Sequence, residues 1–340
     1  MANVLVLGGT AWLGREVATE AAARGHEVIC LARGESGSVA EGIDLVRADR
    51  DDPSAYDDLT GRQWHAVVDV TRQPGHARSA VLTLGAQAEH WTLVSTGNVY
   101  ADLAHPMHED DALRDPLADD HAPPELYGEG KVACEVAVRA LPRHLILRAG
   151  LLGGPGDPSD RAGYWVARFA AAGDEPVLVP DLPGAAVQVL DVRDLATFIV
   201  DGALRGVTGA MNVAGLPTTL TDFLSTAADV AGHTGTARGA GPDWLVEHDV
   251  EPWMGPRSLP LWLPDEARGM ATMDTAPRCS RRDPAPPADR DVGRHSARRE
   301  GSRPRPRPQG RPHPRRRARP PRPALKFELF GAPHGHATLR

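Results

Sequence analysis

Short apolar runs alternate with longer segments rich in Ala, Glu and Leu along the first 150 residues or so of the chain. Residues 4–7 form an unbroken apolar run, which is typical of a strand buried on both faces of a parallel sheet. Residues 15–24 predict a helix that Gly25 ends. Further apolar runs lie at residues 28–31, 43–49, 64–70 and 90–100, and residues 75–88 predict another helix. This alternation predicts an α/β fold with a doubly wound parallel sheet and ligands at the carboxyl ends of its strands.

A glycine-rich turn follows the first predicted strand. Glycine allows the tight turn and lets the backbone approach a pyrophosphate, while the following helix N-terminus presents free N–H groups to that anion. A strand, a glycine turn and a helix in this order predict dinucleotide binding, and a flavodoxin-like turn that binds nothing is the alternative. Ala11 occupies the middle position of a Gly-x-x-Gly-x-x-Gly pattern and is small enough to keep the turn. The predicted cofactor-binding residues of the turn are Gly8, Gly9, Thr10, Trp12, Leu13 and Gly14.

Two further positions bear on which cofactor binds. The second strand ends just before Arg33, at a place where many dinucleotide folds carry an acid for the ribose 2′-hydroxyl or an Arg for a 2′-phosphate. Arg33 therefore favours NADP over NAD, unless it is an ordinary solvated loop charge. Asp49, at the end of the third strand, is expected to accept a hydrogen bond from the adenine amino group.

Candidate acid–base chemistry follows the strand at residues 90–100. Ser95 and Thr96 lie at the carboxyl end of that strand. Tyr127 and Lys131 stand four residues apart at the start of a predicted helix, so they share one face. An ammonium beside a phenol favours the phenolate, which would make Tyr127 a proton donor or acceptor. If the Tyr127/Lys131 pair is considered without the rest of the chain, an ordinary surface Tyr/Lys pair is the alternative interpretation.

Together these residues resemble the extended (atypical) short-chain dehydrogenase/reductase family, the NAD-dependent epimerase/dehydratase group, from residue 4 to about residue 212. The motifs are the Gly8–Gly14 turn, Val-Ser-Thr-Gly-Asn-Val-Tyr at 94–100, Tyr127-x-x-x-Lys131, residues 147–157 and residues 187–195. The resemblance implies that Thr96 hydrogen-bonds the substrate oxygen and that Tyr127 is the general acid/base. It also implies that Lys131 holds the nicotinamide ribose hydroxyls.

The resemblance implies a Rossmann-type sheet with a smaller C-terminal substrate lobe. The predicted cofactor domain covers residues 1–158 and 185–215, and the predicted lobe covers residues 159–184 and 216–275. Substrate contacts are expected from Arg161, Tyr164 and Gln188. Many nucleotide-sugar enzymes of the family carry Asn and Tyr where this chain has Leu151 and Gly153, which argues against that substrate class. Bulky candidates for pocket or core positions are Trp244, Trp253 and Trp262.

Composition separates a C-terminal tail from the rest of the chain. The net charge is −7, yet residues 276–323 carry many more arginines than acids, interspersed with proline. The 276–340 segment is therefore predicted to be a disordered, low-complexity basic tail. It either binds an acidic partner or is an out-of-register translation product without an evolved role. Three isolated cysteines, no apolar run of membrane-span length and no signal peptide predict a cytoplasmic protein without a metal site.

Three functional hypotheses remain at this point. The first is an NADP-dependent reductase acting on a small carbonyl or hydroxyl compound, with NAD left open as cofactor. The second is a nucleotide-sugar epimerase or dehydratase. The third is a non-catalytic dinucleotide-binding or nucleic-acid-associated regulator, supported only by Ala11 and the basic tail. The expected partner is a small-molecule substrate; neither nucleic acid nor membrane is expected, and a homodimer would follow from family likeness alone.

Overall fold

A computed structural model of the chain describes residues 1–275. The predicted basic tail at 276–340, which includes Cys279, lies outside the described residues. The strands are β1 (Asn3–Leu7), β2 (Glu27–Ala32), β3 (Asp44–Arg47), β4 (Ala66–Asp69), β5 (Trp91–Thr96), β6 (His144–Ala149), β7 (Leu151–Gly153), β8 (Val177–Pro180), β9 (Ala186–Val187), β10 (Val189–Asp191), β11 (Gly209–Val213), β12 (Thr218–Thr219), β13 (Ala237–Ala240), β14 (Glu251–Pro252) and β15 (Ser258–Leu259). The α-helices are α1 (Trp12–Ala23), α2 (Pro74–Leu84), α3 (Tyr127–Arg139), α4 (Gly163–Ala172), α5 (Val192–Arg205), α6 (Leu220–Ala231) and α7 (Pro242–Glu247). Short 3₁₀ helices lie at Pro53–Leu59, Gly85–Gln87, Gly97–Val99, Pro124–Leu126 and Asp265–Ala271.

Seven parallel strands form the main sheet in the order β11-β6-β5-β4-β1-β2-β3. Leu5 of β1 lies opposite Ile29 of β2 on one side and Val67 of β4 on the other. Helices α1 and α5 pack together, as do α2 and α3, and two separate buried clusters carry these two helix pairs. The central strands are mostly apolar and buried because both faces of the sheet are covered, whereas β3 at the sheet edge is partly exposed. The predicted Rossmann-type doubly wound sheet is confirmed.

The reversal of strand order places ligand sites at the carboxyl ends of the strands of this sheet. β1 lies at the centre, with β2 and β3 on one side and β4, β5 and β6 on the other. At such a switch point the connections leave in opposite directions, and a crevice opens beyond the carboxyl ends of the strands. The residues that follow β1, β2, β4 and β5 all face this crevice.

A third buried cluster builds the smaller lobe. It joins α4 and α6 with the paired strands β8 and β13. Trp165 is fully buried there, and its indole N–H donates to the Pro260 carbonyl at 3.0 Å. Trp262 is buried in the same cluster, whereas Trp244 is exposed. The division into two domains at the predicted residues remains a prediction. Within residues 1–275, no helix is both long and apolar enough to cross a bilayer.

Candidate functional site

The glycine turn after β1 has the geometry of a pyrophosphate cradle. Gly8 has φ +98°, a left-handed conformation that side chains disfavour. A Cβ on Gly14 would collide with the Gly8 carbonyl oxygen, so glycine is required for α1 to approach the turn this closely. Ala11 has φ −71°, an ordinary value for any residue, so it replaces the middle glycine without strain. No side chain caps α1, which leaves the N–H groups of its first turn available to an anion. These features fit a dinucleotide.

A cavity of about 420 Å³ continues from this turn across the ends of β2 and β3. Its lining includes Gly8, Thr10, Arg33 and Asp49 from the predicted set. The Arg33 side chain is 57% exposed and lies 3.0 Å from Glu35 and 3.8 Å from Asp49. Arg33 therefore stands at the rim of the cavity between two carboxylates, where it can meet the ribose end of a dinucleotide.

A buried ion pair that the sequence analysis did not single out supports the floor of this cavity. Arg50 donates to both carboxylate oxygens of Asp69 at 2.8 Å and to the carbonyl of His76 at 2.7 Å. Burial disfavours the charged guanidinium, but the Asp69 carboxylate more than offsets this and raises the pKa of Arg50. The pair ties the end of β4 to the segment after β3. Nothing in the local sequence marks it, because the two residues stand 19 positions apart.

A second cavity, of about 710 Å³, brings the predicted catalytic hydroxyls together. We call it the cleft; Thr96 from the end of β5 and Tyr127 from the start of α3 both line it. The Thr96 hydroxyl oxygen accepts from the Asn98 backbone N–H at 3.3 Å. A Cβ on Gly128 would collide with the Asn98 carbonyl oxygen, so this glycine lets α3 start directly against the turn that holds Thr96. The chain thereby fixes Tyr127 beside the end of β5.

Lys131 lies one helical turn beyond Tyr127 and is only 2% exposed. Its Nζ donates to the carbonyl of Thr71 at 2.6 Å and to that of Val94 at 2.5 Å. An ammonium carries three donors, and the part of the chain that the structure describes supplies these two acceptors. The implied hold of Lys131 on the nicotinamide ribose hydroxyls stays a prediction.

Behind the cleft lies a buried polar network that sequence reasoning missed. Arg148 donates to both carboxylate oxygens of Glu135, at 3.2 and 3.0 Å, and to the hydroxyl of Tyr100 at 3.0 Å. The same carboxylate accepts from the hydroxyl of Ser95 at 2.7 Å. Burial lowers the pKa of Arg148, but the hydrogen bonds and charge of Glu135 outweigh this effect, and the net shift is upward. The network holds β5 against α3 and β6 next to Thr96.

The three predicted substrate contacts occupy different places. Arg161 and Gln188 line the cleft. Both polar atoms of the Gln188 amide already bond Met273, with Nε2 donating to its carbonyl at 3.1 Å and Oε1 accepting from its N–H at 2.8 Å. Gln188 therefore anchors the segment that closes one side of the cleft. The Tyr164 ring packs edge-on against Trp165, with centroids 5.1 Å apart, and is not part of the cleft lining.

One hydrogen bond links the glycine turn to the far side of the cleft. Trp12, the first residue of α1, also lines the cleft, and its indole N–H donates to the Pro155 carbonyl at 2.8 Å. Pro155 belongs to the loop after β7, which leads into α4. The residue next to the pyrophosphate cradle thus positions a loop on the substrate side.

Residues 4–91 match the model of the NAD dependent epimerase/dehydratase family. The chain is 35% identical over 222 residues to a 2'-dehydrokanamycin reductase of Streptomyces kanamyceticus, an alignment that covers 60% of each chain. The chain therefore spans about 60% of the length of this relative.

Solved structures agree on the fold. The UDP-N-acetylglucosamine 4-epimerase of Bacillus cereus superposes with a TM-score of 0.55 at 18% identity, covering 70% of this chain and 86% of that one. The UDP-glucose 4-epimerase of Thermus thermophilus, solved in complex with NAD, gives a TM-score of 0.52 at 18% identity, covering 79% and 97%. The glycine turn lies within the matched residues 4–91, so the likeness to the NAD dependent epimerase/dehydratase family covers this part of the chain.

Proposed function

We propose that the protein is an NAD(P)-dependent oxidoreductase of the extended short-chain type that reduces or oxidises a small carbonyl or hydroxyl compound. The observation that carries the proposal is that Thr96 and Tyr127 line one cleft while Lys131 is buried one turn below Tyr127. The relation to a protein named as a reductase supports the same chemistry. The cradle at Gly8 and Gly14 supports a dinucleotide as the redox partner.

In this mechanism a bound nicotinamide supplies or accepts the hydride at the substrate carbon. Thr96 orients the substrate by a hydrogen bond from its hydroxyl to the substrate oxygen. In reduction the Tyr127 hydroxyl gives its proton to that oxygen, and solvent returns the proton to the phenolate. In oxidation the phenolate takes the proton from the substrate hydroxyl. In this proposal the positive charge of Lys131 stabilises the phenolate, and its third N–H would bond a ribose hydroxyl of the cofactor.

For the choice of cofactor we propose NADP, with Arg33 as the residue that meets the 2′-phosphate. Glu35 and Asp49 already attract its guanidinium, and the site is open to solvent, so the expected preference is modest. We expect Arg33→Ala to lower the NADPH-to-NADH affinity ratio by about tenfold. Arg238→Ala, an exposed arginine on β13, is the matched control. An unchanged ratio in Arg33→Ala would remove the basis for proposing NADP.

An epimerase or dehydratase that acts on a nucleotide sugar is the second candidate. It is favoured by the fold neighbours named as UDP-sugar 4-epimerases. It is disfavoured by Leu151 and Gly153, which supply no polar side chain where many such enzymes carry Asn and Tyr. Such chemistry regenerates its cofactor in place, so the two candidates differ in whether oxidised NAD(P) stays tightly bound through purification.

The experiment that tests the proposal begins with identification of any nucleotide released from the purified protein and of its redox state. NADPH oxidation is then followed with ring and open-chain ketones. We expect Tyr127→Phe to lower kcat by about a hundredfold or more while leaving NADPH affinity unchanged, because only the proton donor is lost. Tyr164→Phe is the control, since that ring lies outside the cleft lining. Full activity in Tyr127→Phe would refute Tyr127 as the acid.

A further inference from the structure

A carboxylate on the substrate side of the cleft has one oxygen without a partner. Asp157 lines the cleft, and its Oδ1 accepts from the Ser159 backbone N–H at 2.8 Å. Its Oδ2 is buried and finds no hydrogen-bond donor in residues 1–275. A buried acceptor without a donor is costly, and such groups in folded proteins call for an explanation.

A guanidinium close by is also without a polar partner. Arg161 lines the cleft and lies 4.8 Å from the centroid of the Trp253 ring. Among the residues that the structure describes, its N–H groups find no hydrogen-bond partner, and Asp157 is the one charge that acts on it. Burial lowers the pKa of Arg161, and the charge of Asp157 only partly offsets this. Asp157 and Arg161 therefore feel each other's charge without being bonded.

The aromatic partner of Arg161 is held in an unfavourable backbone conformation. Trp253 has φ +66°, a left-handed backbone conformation that is rare for a bulky side chain. Leu261, another residue of the cleft lining, has φ +69°. Strain of this kind clusters at ligand-binding sites, where the surrounding structure maintains it. The lobe thus keeps Trp253, and with it Arg161, at the cleft.

We propose that Asp157 and Arg161 form a substrate subsite for two neighbouring polar substituents, a hydroxyl or amino group that donates to Asp157 Oδ2 and an oxygen that accepts from Arg161. This inference rests on the proposed reductase function and narrows its substrate to a polyhydroxylated or amino-substituted carbonyl compound. A carboxylate or phosphate suits Arg161 but meets the negative charge of Asp157. A simple ketone leaves both groups unpaired.

Asp157→Asn is the sharpest test. The asparagine amide oxygen still accepts from the Ser159 N–H, so the turn is preserved. The amide NH₂ takes the place of the unpartnered Oδ2, so an acceptor becomes a donor. The probes are cyclohexanone and pentahydroxycyclohexanone, two ring ketones that differ only in hydroxyl substituents, with NADPH as reductant. We expect Asp157→Asn to raise KM for the hydroxylated ketone by about ten- to a hundredfold more than it raises KM for cyclohexanone. Asp229→Asn, an exposed carboxylate on α6, is the matched control.

A binding measurement separates this inference from the proposed function. Saturation-transfer NMR with glucose and with glucosamine, in the presence of NADP, requires no turnover. Weaker binding in Asp157→Asn and in Arg161→Met, but not in Arg238→Met, supports the subsite even if no ketone is reduced. A stronger loss for glucosamine identifies an amino group as the donor. Equal effects of Asp157→Asn on both ketones, or sugar binding that neither variant changes, would overturn the subsite.

Discussion

The Arg148–Glu135 pair predicts a large and specific cost of removing one partner. Arg148→Met keeps the length of the side chain but deletes its donors to Glu135, to the Tyr100 hydroxyl and to the Glu109 carbonyl. The Glu135 carboxylate is fully buried and cannot turn to water. Removing one partner of a buried ion pair costs about 3–5 kcal/mol, because an uncompensated charge remains.

Two contacts that survive the substitution place the expected value at the low end of this range. Ser95 still donates to Glu135 Oε1 at 2.7 Å, and Arg139 still donates to Oε2 at 3.2 Å. Arg139 is partly exposed, so its charge is screened by solvent and compensates only in part. We therefore expect Arg148→Met to lower the free energy of unfolding by about 3 kcal/mol.

Urea denaturation, followed by circular dichroism, measures this loss. Arg193→Met is the matched control, because Arg193 also forms a two-point pair with a carboxylate, that of Asp191, but its side chain is 62% exposed. The control should lose less than about 1 kcal/mol. The double variant Glu135→Gln/Arg148→Met should lose less than Arg148→Met alone, since no charge is left unpaired. Equal losses in the two arginine variants, or additive losses in the double variant, would refute the argument.

Three further outcomes can be measured on the same protein. Gly14→Ala forces a Cβ into the Gly8 carbonyl, so we expect at least tenfold weaker NADPH binding by calorimetry and a loss of about 1–3 kcal/mol in stability. Trp12→Phe removes the N–H that holds the Pro155 carbonyl, so KM for the carbonyl substrate should rise several-fold in steady-state assays. Burial lowers the pKa of His90 below 6.5, so protonation of His90 favours the unfolded state. The free energy of unfolding should therefore fall as the pH drops below about 6.5. Urea unfolding at pH 7.5 and 5.5 should show a smaller fall in His90→Phe than in the unmodified protein.

The parts of the site that follow from the sequence are those carried by short, continuous segments. The turn from Gly8 to Gly14 needs particular backbone angles and close approaches, and glycine is the residue that allows them. Thr96 and Tyr127 come from segments 31 residues apart, yet a parallel sheet collects strand ends on one edge, so their meeting in the cleft could be predicted. The sequence pattern predicts a helix from residue 15, three residues after the observed start of α1 at Trp12. Ala11, which precedes the helix, has no capping side chain that would mark the true start.

The parts that could not be predicted depend on pairs distant in sequence. Arg148 and Glu135 are 13 positions apart, and the network extends to Asn212 through the Tyr100 hydroxyl. A lone Glu within a helix resembles a surface residue, so its burial depends on the strand packed against that helix. Tyr164 stands among the predicted substrate contacts because it is an aromatic just after a loop, whereas the fold turns its ring toward Trp165.

The same distinction explains why the cofactor is easier to infer than the substrate. The glycine turn comes directly after β1, and Thr96 is the last residue of β5. Both strands belong to one sheet, and the register of that sheet fixes the turn relative to Thr96. The substrate side is assembled from the loop that contains Asp157, from Arg161 at the entrance to α4, and from Trp253 in the lobe. No strand pairing sets the spacing of these residues, and substitutions in loops need not disturb the sheet. The dinucleotide site therefore follows from the sheet, whereas the choice of substrate depends on Asp157, Arg161 and Trp253 in the loops and the lobe.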